Sequence, residues 1–268
     1  ACAGVGKTWA MLAEAQRLGY AEADPTFDIE GVDAAHKLSI MSAIAFGNSM
    51  SFDQAYIEGI SSLDAADIRY AEQLGYRIKL LGITKRTAEG VELRVHPTLI
   101  PARRLIANVE GAMNAVLVKG DAVGATLYYG KGAGAEPTAS AVIADLVDVT
   151  RMHTADPEHR VPHLAFQPGA MVDLAILPMA DVVTSYYLRL RVDDRPGVLA
   201  DVTRILADDG ISIVAMIQRE PGEGEEQTDI IMLTHKTRER NIDTAIAGIE
   251  ALSAVKCRII RLRLEELQ

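Results

Sequence analysis

Residues 19–46 read GYAEADPTFDIEGVDAAHKLSIMSAIAF, an acidic loop that leads into a helix. Asp33 and Lys37 are four residues apart, so they share one face of that helix. The residues after Lys37 are almost all apolar, which predicts a helix over residues 32–46 that is buried on every side. Lys37 would then stand where the loop enters the core, and loss of hydration would favour its neutral form. The pattern indicates a lysine suited to proton transfer, beside carboxylates that would suit a small molecule with amino and hydroxyl groups.

An alternative interpretation is a solvated ion pair. Most Asp–Lys pairs at this spacing are surface contacts that contribute only about 0.3–0.5 kcal/mol. The apolar run that directly follows Lys37 weakens this interpretation, because a purely solvated helix face would not lead into it. The carboxylates also outnumber the single lysine that they could pair with, which favours a small-molecule site.

The segment from Gly19 to Leu38 resembles the signature of homoserine dehydrogenases. These enzymes interconvert L-homoserine and L-aspartate 4-semialdehyde with NAD or NADP, in threonine and methionine biosynthesis. The resemblance implies that Lys37 is the catalytic proton donor and acceptor at the reacting oxygen. It also implies that the cofactor lies against Gly19 and that substrate is bound by three carboxylates: Glu22, Asp28 and Asp33.

A second segment supports the same resemblance. Residues 128–142 read YYGKGAGAEPTASAV, a glycine-rich loop that opens a helix. Glycines at a helix N-terminus let backbone N–H groups approach an anion closely. The loop resembles the one that packs beside the cofactor in homoserine dehydrogenases, which implies that Gly132 and Gly134 contact it. By itself such a loop could equally be a simple turn.

The N-terminal residues lack the fingerprint of a dinucleotide-binding domain. No strand followed by G-x-G-x-x-G precedes Glu22. Gly6-Lys7-Thr8 matches the end of a phosphate-binding loop, but Ala1 stands where that motif needs its first glycine. We therefore expect the catalytic and regulatory portions of a longer enzyme. The alternative is a noncatalytic fragment that binds amino acids and dimerises but lacks the nucleotide-binding domain.

Composition narrows the class of protein further. The 268 residues are 49% hydrophobic and carry a net charge of −10, which argues against nucleic acid as a partner. The two cysteines have neither metal-ligand spacing nor a disulfide framework, so no metal site is predicted. The sequence contains no signal peptide and no long apolar run. We expect a cytoplasmic protein that does not insert into membranes.

The order of predicted elements indicates an α+β protein with two domains. Residues 1–180 would form the homoserine-dehydrogenase-type catalytic domain, with a mixed sheet and helices, and proline-rich residues 156–184 would form an irregular connection. In this part the pattern predicts strands over residues 77–85, 91–99, 115–119 and 124–129, and a helix over residues 138–149.

Residues 185–268 read as strand, helix, strand, strand, helix, strand, with DDRPGVL at residues 193–199 and a helix cap at Asp194. This order resembles a ferredoxin-like ACT domain. The resemblance implies a homo-oligomer, L-threonine as a feedback effector, and effector contacts at Asp194 and Gly197. Alternatively the module only dimerises, or it belongs to another dehydrogenase or an aspartate-pathway kinase.

Overall fold

The computed structural model describes residues 24–111, 113–132, 134–156, 160, 162, 164–219 and 226–267. Within these residues the helices are α1 (Thr26–Ile29), α2 (Val32–Phe46), α3 (Ala65–Gln73), α4 (Ala135–His153), α5 (Val198–Asp208) and α6 (Glu239–Glu250). The strands are β1 (Tyr56–Ile57), β2 (Tyr76–Arg86), β3 (Val91–Pro101), β4 (Met113–Gly120), β5 (Gly124–Lys131), β6 (Val183–Asp193), β7 (Ile213–Gln218), β8 (Gln227–Thr234), β9 (Thr237–Arg238) and β10 (Ile260–Leu264). The expected helix over residues 11–18 lies outside the described residues.

One mixed sheet runs through both parts of the chain. Its strands are ordered β1-β3-β10-β6-β8-β7, with β2 paired to β3 and β9 paired to β6. Strands β1 and β10 run parallel to β3, and the other pairs are antiparallel. β4 and β5 form a separate hairpin. The predicted α+β class with a mixed sheet is confirmed.

The C-terminal part has the predicted strand and helix order. β6, α5, β7, β8, α6 and β10 follow the ferredoxin-like pattern, with β10-β6-β8-β7 as neighbours in the sheet. Apolar residues of α5 and α6, among them Val202, Leu206, Ile242 and Ile249, are completely buried against the sheet. The amphipathic pattern of both helices therefore predicted their packing correctly.

The cap predicted at Asp194 is wrong. α5 begins after Gly197, which has a left-handed φ of +95°, and no side chain caps this end. Asp194 instead accepts a hydrogen bond from Gln218, with Nε2 and Oδ1 3.4 Å apart. The left-handed turn at Gly197 separates the Asp194 carboxylate from the first helical N–H groups.

The opposite face of the ferredoxin-like sheet is covered by α3. Tyr70 and Ala71 of this helix pack in one buried cluster with Leu99, Tyr187 and Ile231. The helix begins with a capping box, in which the Asp64 and Asp67 side chains bond reciprocally to backbone N–H groups. The two parts of the chain therefore share a core as well as a sheet.

α2 packs with one side on the first part of the sheet. Its buried residues Ala35 and Leu38 contact Leu93 and Val95 of β3. The predicted bounds of α2 are correct, but the prediction of burial on every side is wrong. Ile40 and Ile44 are 46% and 44% exposed, because they lie on the side of the helix that faces away from the sheet.

α4 and the β4–β5 hairpin present apolar side chains to solvent. α4 has no buried residue, and Val142, Ile143 and Leu146 are more than half exposed. Val123 and Tyr128 of the hairpin are similarly exposed. Across the described part of the chain, no helix combines the length and hydropathy needed to span a bilayer.

Candidate active site and effector cavity

A tight turn at Gly31 brings the acidic loop to the start of α2. Gly31 has a left-handed φ of +78°, and a Cβ atom there would lie 2.9 Å from Cγ1 of Val95. Only glycine satisfies both the backbone angle and the close packing on β3. The turn therefore places α1 and the N-terminus of α2 directly beside the sheet.

Asp24 fixes the loop at the other end of α1. Its Oδ1 accepts hydrogen bonds from the Thr26 backbone N–H at 3.1 Å and from the Thr26 hydroxyl at 2.6 Å. These bonds lower the pKa of Asp24 from its ordinary value. Asp28 lies on α1 between the two anchor points, with its side chain exposed.

The Asp33 and Lys37 side chains form an ion pair on the exposed side of α2. Lys37 Nζ lies 2.5 Å from Asp33 Oδ2, and the two side chains are 67% and 42% exposed, respectively. The expectation that Lys37 is desolvated at the edge of the core is therefore wrong for this chain. The reason is geometric, since α2 turns this face away from the sheet.

The exposed face of α2 continues past the ion pair as an apolar stripe. At 100° per residue, Asp33, Lys37, Ile40 and Ile44 follow one another at i, i+4, i+7 and i+11, so they share a face. Both isoleucines are nearly half exposed. Lys37 thus borders the exposed apolar side chains of Ile40 and Ile44 and does not border the core between α2 and the sheet.

The other predicted site residues are placed as follows. Gly19 and Glu22 lie outside the described residues. Gly132 packs against the Asn114 side chain, which occupies the position a Cβ atom would need. Gly134 has a φ of +120° and precedes the first residue of α4. Both glycines are exposed, so the loop leaves backbone groups accessible at the N-terminus of a 19-residue helix.

A cavity of about 390 Å³ lies at the turn between β6 and α5. Both predicted effector residues, Asp194 and Gly197, line it, together with Gln218. Asp193, also in the lining, forms an ion pair with Lys256 at 2.8 Å. The cavity therefore combines a carboxylate, a side-chain amide and the backbone groups of a helix N-terminus.

Sequence reasoning missed a buried ionic cluster around Arg263. This side chain is fully buried on β10 and bonds to Glu58 and Glu239. Burial raises the pKa of the Glu58 carboxyl, but the Arg263 charge and hydrogen bonds lower it below its ordinary value overall. No local pattern distinguishes Arg263 from an exposed strand arginine, because its partners are distant in sequence.

A second buried cluster surrounds Arg94 on β3. Arg94 donates to Glu92 at 2.9 Å and to Glu265 at 2.6 Å, and it contacts the His96 ring at 2.7 Å. His96 is completely buried. Burial, followed by the Arg263 and Arg94 charges, holds its pKa well below the ordinary value.

Comparison with known families agrees with this architecture. The homoserine dehydrogenase family profile matches residues 5–147, and the ACT domain profile matches residues 186–254. The first match covers just over half of the chain and includes α1, α2 and the glycine-rich loop. The two matches define a homoserine-dehydrogenase-type part followed by an ACT-type part.

Several relatives match this chain along almost its whole length. A homoserine dehydrogenase of Pseudomonas aeruginosa is 60% identical over 257 residues, and one of Neisseria gonorrhoeae is 58% identical over 258 residues. A crystal structure of a homoserine dehydrogenase from Thiobacillus denitrificans is 71% identical, with a TM-score of 0.90. The match covers 97% of this chain and 58% of the Thiobacillus denitrificans chain. This chain belongs to the homoserine dehydrogenase family.

The relatives are longer than this chain. The match covers 96% of this chain but 59% of the length of both the Pseudomonas aeruginosa and the Neisseria gonorrhoeae proteins. The chain therefore spans about three-fifths of the relatives that it matches.

Proposed function

We propose that this chain forms the catalytic and regulatory portions of an NAD(P)-dependent homoserine dehydrogenase. The reaction is the interconversion of L-homoserine and L-aspartate 4-semialdehyde, in the cytoplasm, on the route to threonine and methionine. One observation carries this proposal. The Asp33–Lys37 ion pair shares its exposed helix face with Ile40 and Ile44, so a titratable lysine borders apolar surface that is open to a ligand or a covering segment.

Lys37 acts as the acid and base at the reacting oxygen. Oxidation of a primary alcohol needs a group that removes the hydroxyl proton, and the reverse reaction needs an acid in the same position. Cover over the apolar face would exclude bulk water from the reacting groups. Asp33 holds the amine by a charge-assisted hydrogen bond and so orients it.

Asp28 and Glu22 complete the substrate site in this proposal. Homoserine carries an ammonium and a carboxylate besides its hydroxyl group. Carboxylates in the acidic segment that precedes Lys37 suit the ammonium, through charge-assisted hydrogen bonds. Asp28 lies on α1 between the Asp24–Thr26 turn and Gly31, and its side chain is exposed to a ligand.

The glycine loop suits contact with a dinucleotide. NAD or NADP, when bound, supplies the hydride acceptor for the alcohol carbon. Gly132 and Gly134 carry no side chain that would obstruct a ligand, and the exposed N-terminus of α4 favours negatively charged groups. In our assignment these two glycines and Gly19 contact the cofactor.

The cavity at the β6–α5 turn is the proposed effector site, and L-threonine is the proposed effector. The Asp194 carboxylate suits the ammonium of an amino acid. The backbone N–H groups that begin α5 at Gly197 suit its carboxylate. ACT modules of this kind also favour a homo-oligomer, which we propose as the functional state.

A noncatalytic amino-acid-binding fragment is the competing function, and one experiment separates the two. The full-length protein is assayed for L-homoserine-dependent reduction of NAD⁺ and NADP⁺, with and without L-threonine. We expect turnover that threonine inhibits. Threonine binding in calorimetry without any turnover would support the noncatalytic module and contradict the proposed reaction.

A further inference from the structure

Residues 56–61 lie between the acidic loop and β10, and we name them the bridge segment. The segment begins as β1, which runs parallel to β3 with Tyr56 opposite Arg94. Its next backbone N–H, that of Glu58, donates to the Val95 carbonyl at 2.9 Å. These bonds hold the bridge segment on the edge of the sheet.

At its first half, the bridge segment is held by the ACT part of the chain. Arg263 of β10 donates from Nη1 to the Glu58 carboxylate at 2.7 Å and from Nη2 to the Tyr56 hydroxyl at 3.0 Å. Its Nε donates at 3.0 Å to Glu239, the first residue of α6. The guanidinium is fully buried, so loss of one carboxylate partner would leave a buried charge poorly compensated.

At its second half, the bridge segment holds the acidic loop. The Ile60 N–H donates to the Ile29 carbonyl at 2.9 Å. The Ser61 hydroxyl donates to the Glu30 carboxylate. A Cβ atom on Gly59 would lie 2.7 Å from Glu30 Cα, so the two backbones are in direct contact.

Glu30 is the last residue before the Gly31 turn that opens α2. Contacts at Glu30 therefore set the start of the helix that carries Asp33 and Lys37. An unbroken chain of bonds runs from α6 through Arg263 and the bridge segment to this helix start.

We propose that Glu58 is a positioning residue through which Arg263 of the ACT domain sets the substrate-binding loop. This proposal rests on the proposed function, since it takes the acidic loop as the substrate site. A purely structural Arg263–Glu58 pair would affect unfolding but would leave KM for homoserine unchanged.

The test compares two Glu→Gln variants of the full-length protein. Glu58→Gln keeps the shape of the side chain but removes its charge. Glu265→Gln is the matched control, because Glu265 is also on the β10 side, is also buried and pairs with the buried Arg94, yet has no bond to the bridge segment. Thermal unfolding, kcat and KM for homoserine are measured for both.

We expect Glu58→Gln to raise KM about five- to tenfold with kcat changed less than about twofold, as for loss of one charge-assisted hydrogen bond. Glu265→Gln should lower the unfolding temperature similarly but keep KM within about twofold. An unchanged KM in Glu58→Gln, or an equal rise in Glu265→Gln, would overturn the proposal.

Ser61→Ala provides a second route if Glu58→Gln does not fold. Ser61 is exposed, so removal of its hydroxyl affects only the contact with Glu30. We expect KM for homoserine to rise about threefold with an unchanged unfolding temperature. An unchanged KM would contradict the proposed role of the bridge segment in positioning the acidic loop. Lys37→Ala is assayed in parallel. If it retains normal kcat, the proposed function fails; if it is inactive while the bridge variants have normal KM, only this inference fails.

Discussion

Lys37 and Asp33 form an ion pair on the one face of α2 that the sheet does not cover. Their side chains are 67% and 42% exposed, with Nζ and Oδ2 2.5 Å apart. An exposed pair of this kind contributes little to folding. In the proposed function, the pair instead orients the Lys37 amine for proton transfer.

The Asp33→Asn variant should show whether Asp33 orients the Lys37 amine or stabilises the fold. We expect the free energy of unfolding to change by less than about 0.5 kcal/mol, since the pair is exposed. KM for homoserine should rise about tenfold, because a charge-assisted contact is lost. Glu110→Gln is the control, as it removes another exposed ion pair, with Arg77. Equal KM values for Asp33→Asn and the unsubstituted protein would count against the assigned role of Asp33.

Gly59→Ala should disturb the contact between the bridge segment and the acidic loop. A methyl group at this position meets the backbone of Ile29 and Glu30, with the Ile29 carbonyl oxygen 2.8 Å away. We expect a loss of about 1–3 kcal/mol in the free energy of unfolding, because backbone must move. Gly130→Ala is the matched control, since nothing lies within 4 Å of its added Cβ. A denaturant titration in which both variants match the unsubstituted protein would refute the close contact.

The buried His96 should make stability depend on pH. The unfolded chain binds a proton on His96 below about pH 6.5, whereas the folded chain does not because the folded pKa lies well below that value. The contribution of His96 to the free energy of unfolding is therefore fully present above about pH 6.5. It is lost as the pH falls below that value, by at most about 1.4 kcal/mol per pH unit.

Denaturant unfolding of His96→Gln between about pH 7.5 and 5 measures this contribution. The variant should show a shallower loss of stability on acidification than the unsubstituted protein. His153→Gln, at an exposed position of α4, should leave the slope unaltered. A slope that is the same in all three proteins would show that His96 contributes nothing to it.

Asp194→Asn should weaken the proposed effector site. The Asp194 carboxylate lines the cavity at the β6–α5 turn and is the proposed partner of the effector ammonium. We expect the Kd for L-threonine, measured by calorimetry, to rise about tenfold. Asp208→Asn, an exposed change at the end of α5, should not alter it. An unchanged Kd for L-threonine in Asp194→Asn would show that Asp194 does not bind the effector.

The elements that could be predicted from sequence are those with local signals. The bounds of α2 could be predicted because its apolar run lies between Gly31 and Gly47. In the structure both glycines have the left-handed φ that ends a helix or begins one after a tight turn. The β2–β3 hairpin and the ferredoxin-like order followed from alternating patterns and turn residues. The family resemblance rested on the acidic segment and the glycine loop, and the comparisons confirm the family.

The features that could not be predicted depend on distant partners. The β3–β10 pairing joins Thr98 to Arg263, far apart in the chain, and parallel pairing leaves no turn signature between them. Arg263 is buried only because Glu58 and Glu239 reach it from two other elements. The exposed face of α2 was misjudged because a run rich in apolar residues does not show which side the sheet covers.

The kcat of Lys37→Ala in the full-length protein tests the central claim most directly. We predict a fall of at least about 100-fold with KM for homoserine within about threefold, since the variant removes the proton-transfer group but not the substrate-binding carboxylates. Lys236→Ala, an exposed lysine between β8 and β9, serves as the control and should keep full activity. A kcat for Lys37→Ala close to that of the control would contradict the claim.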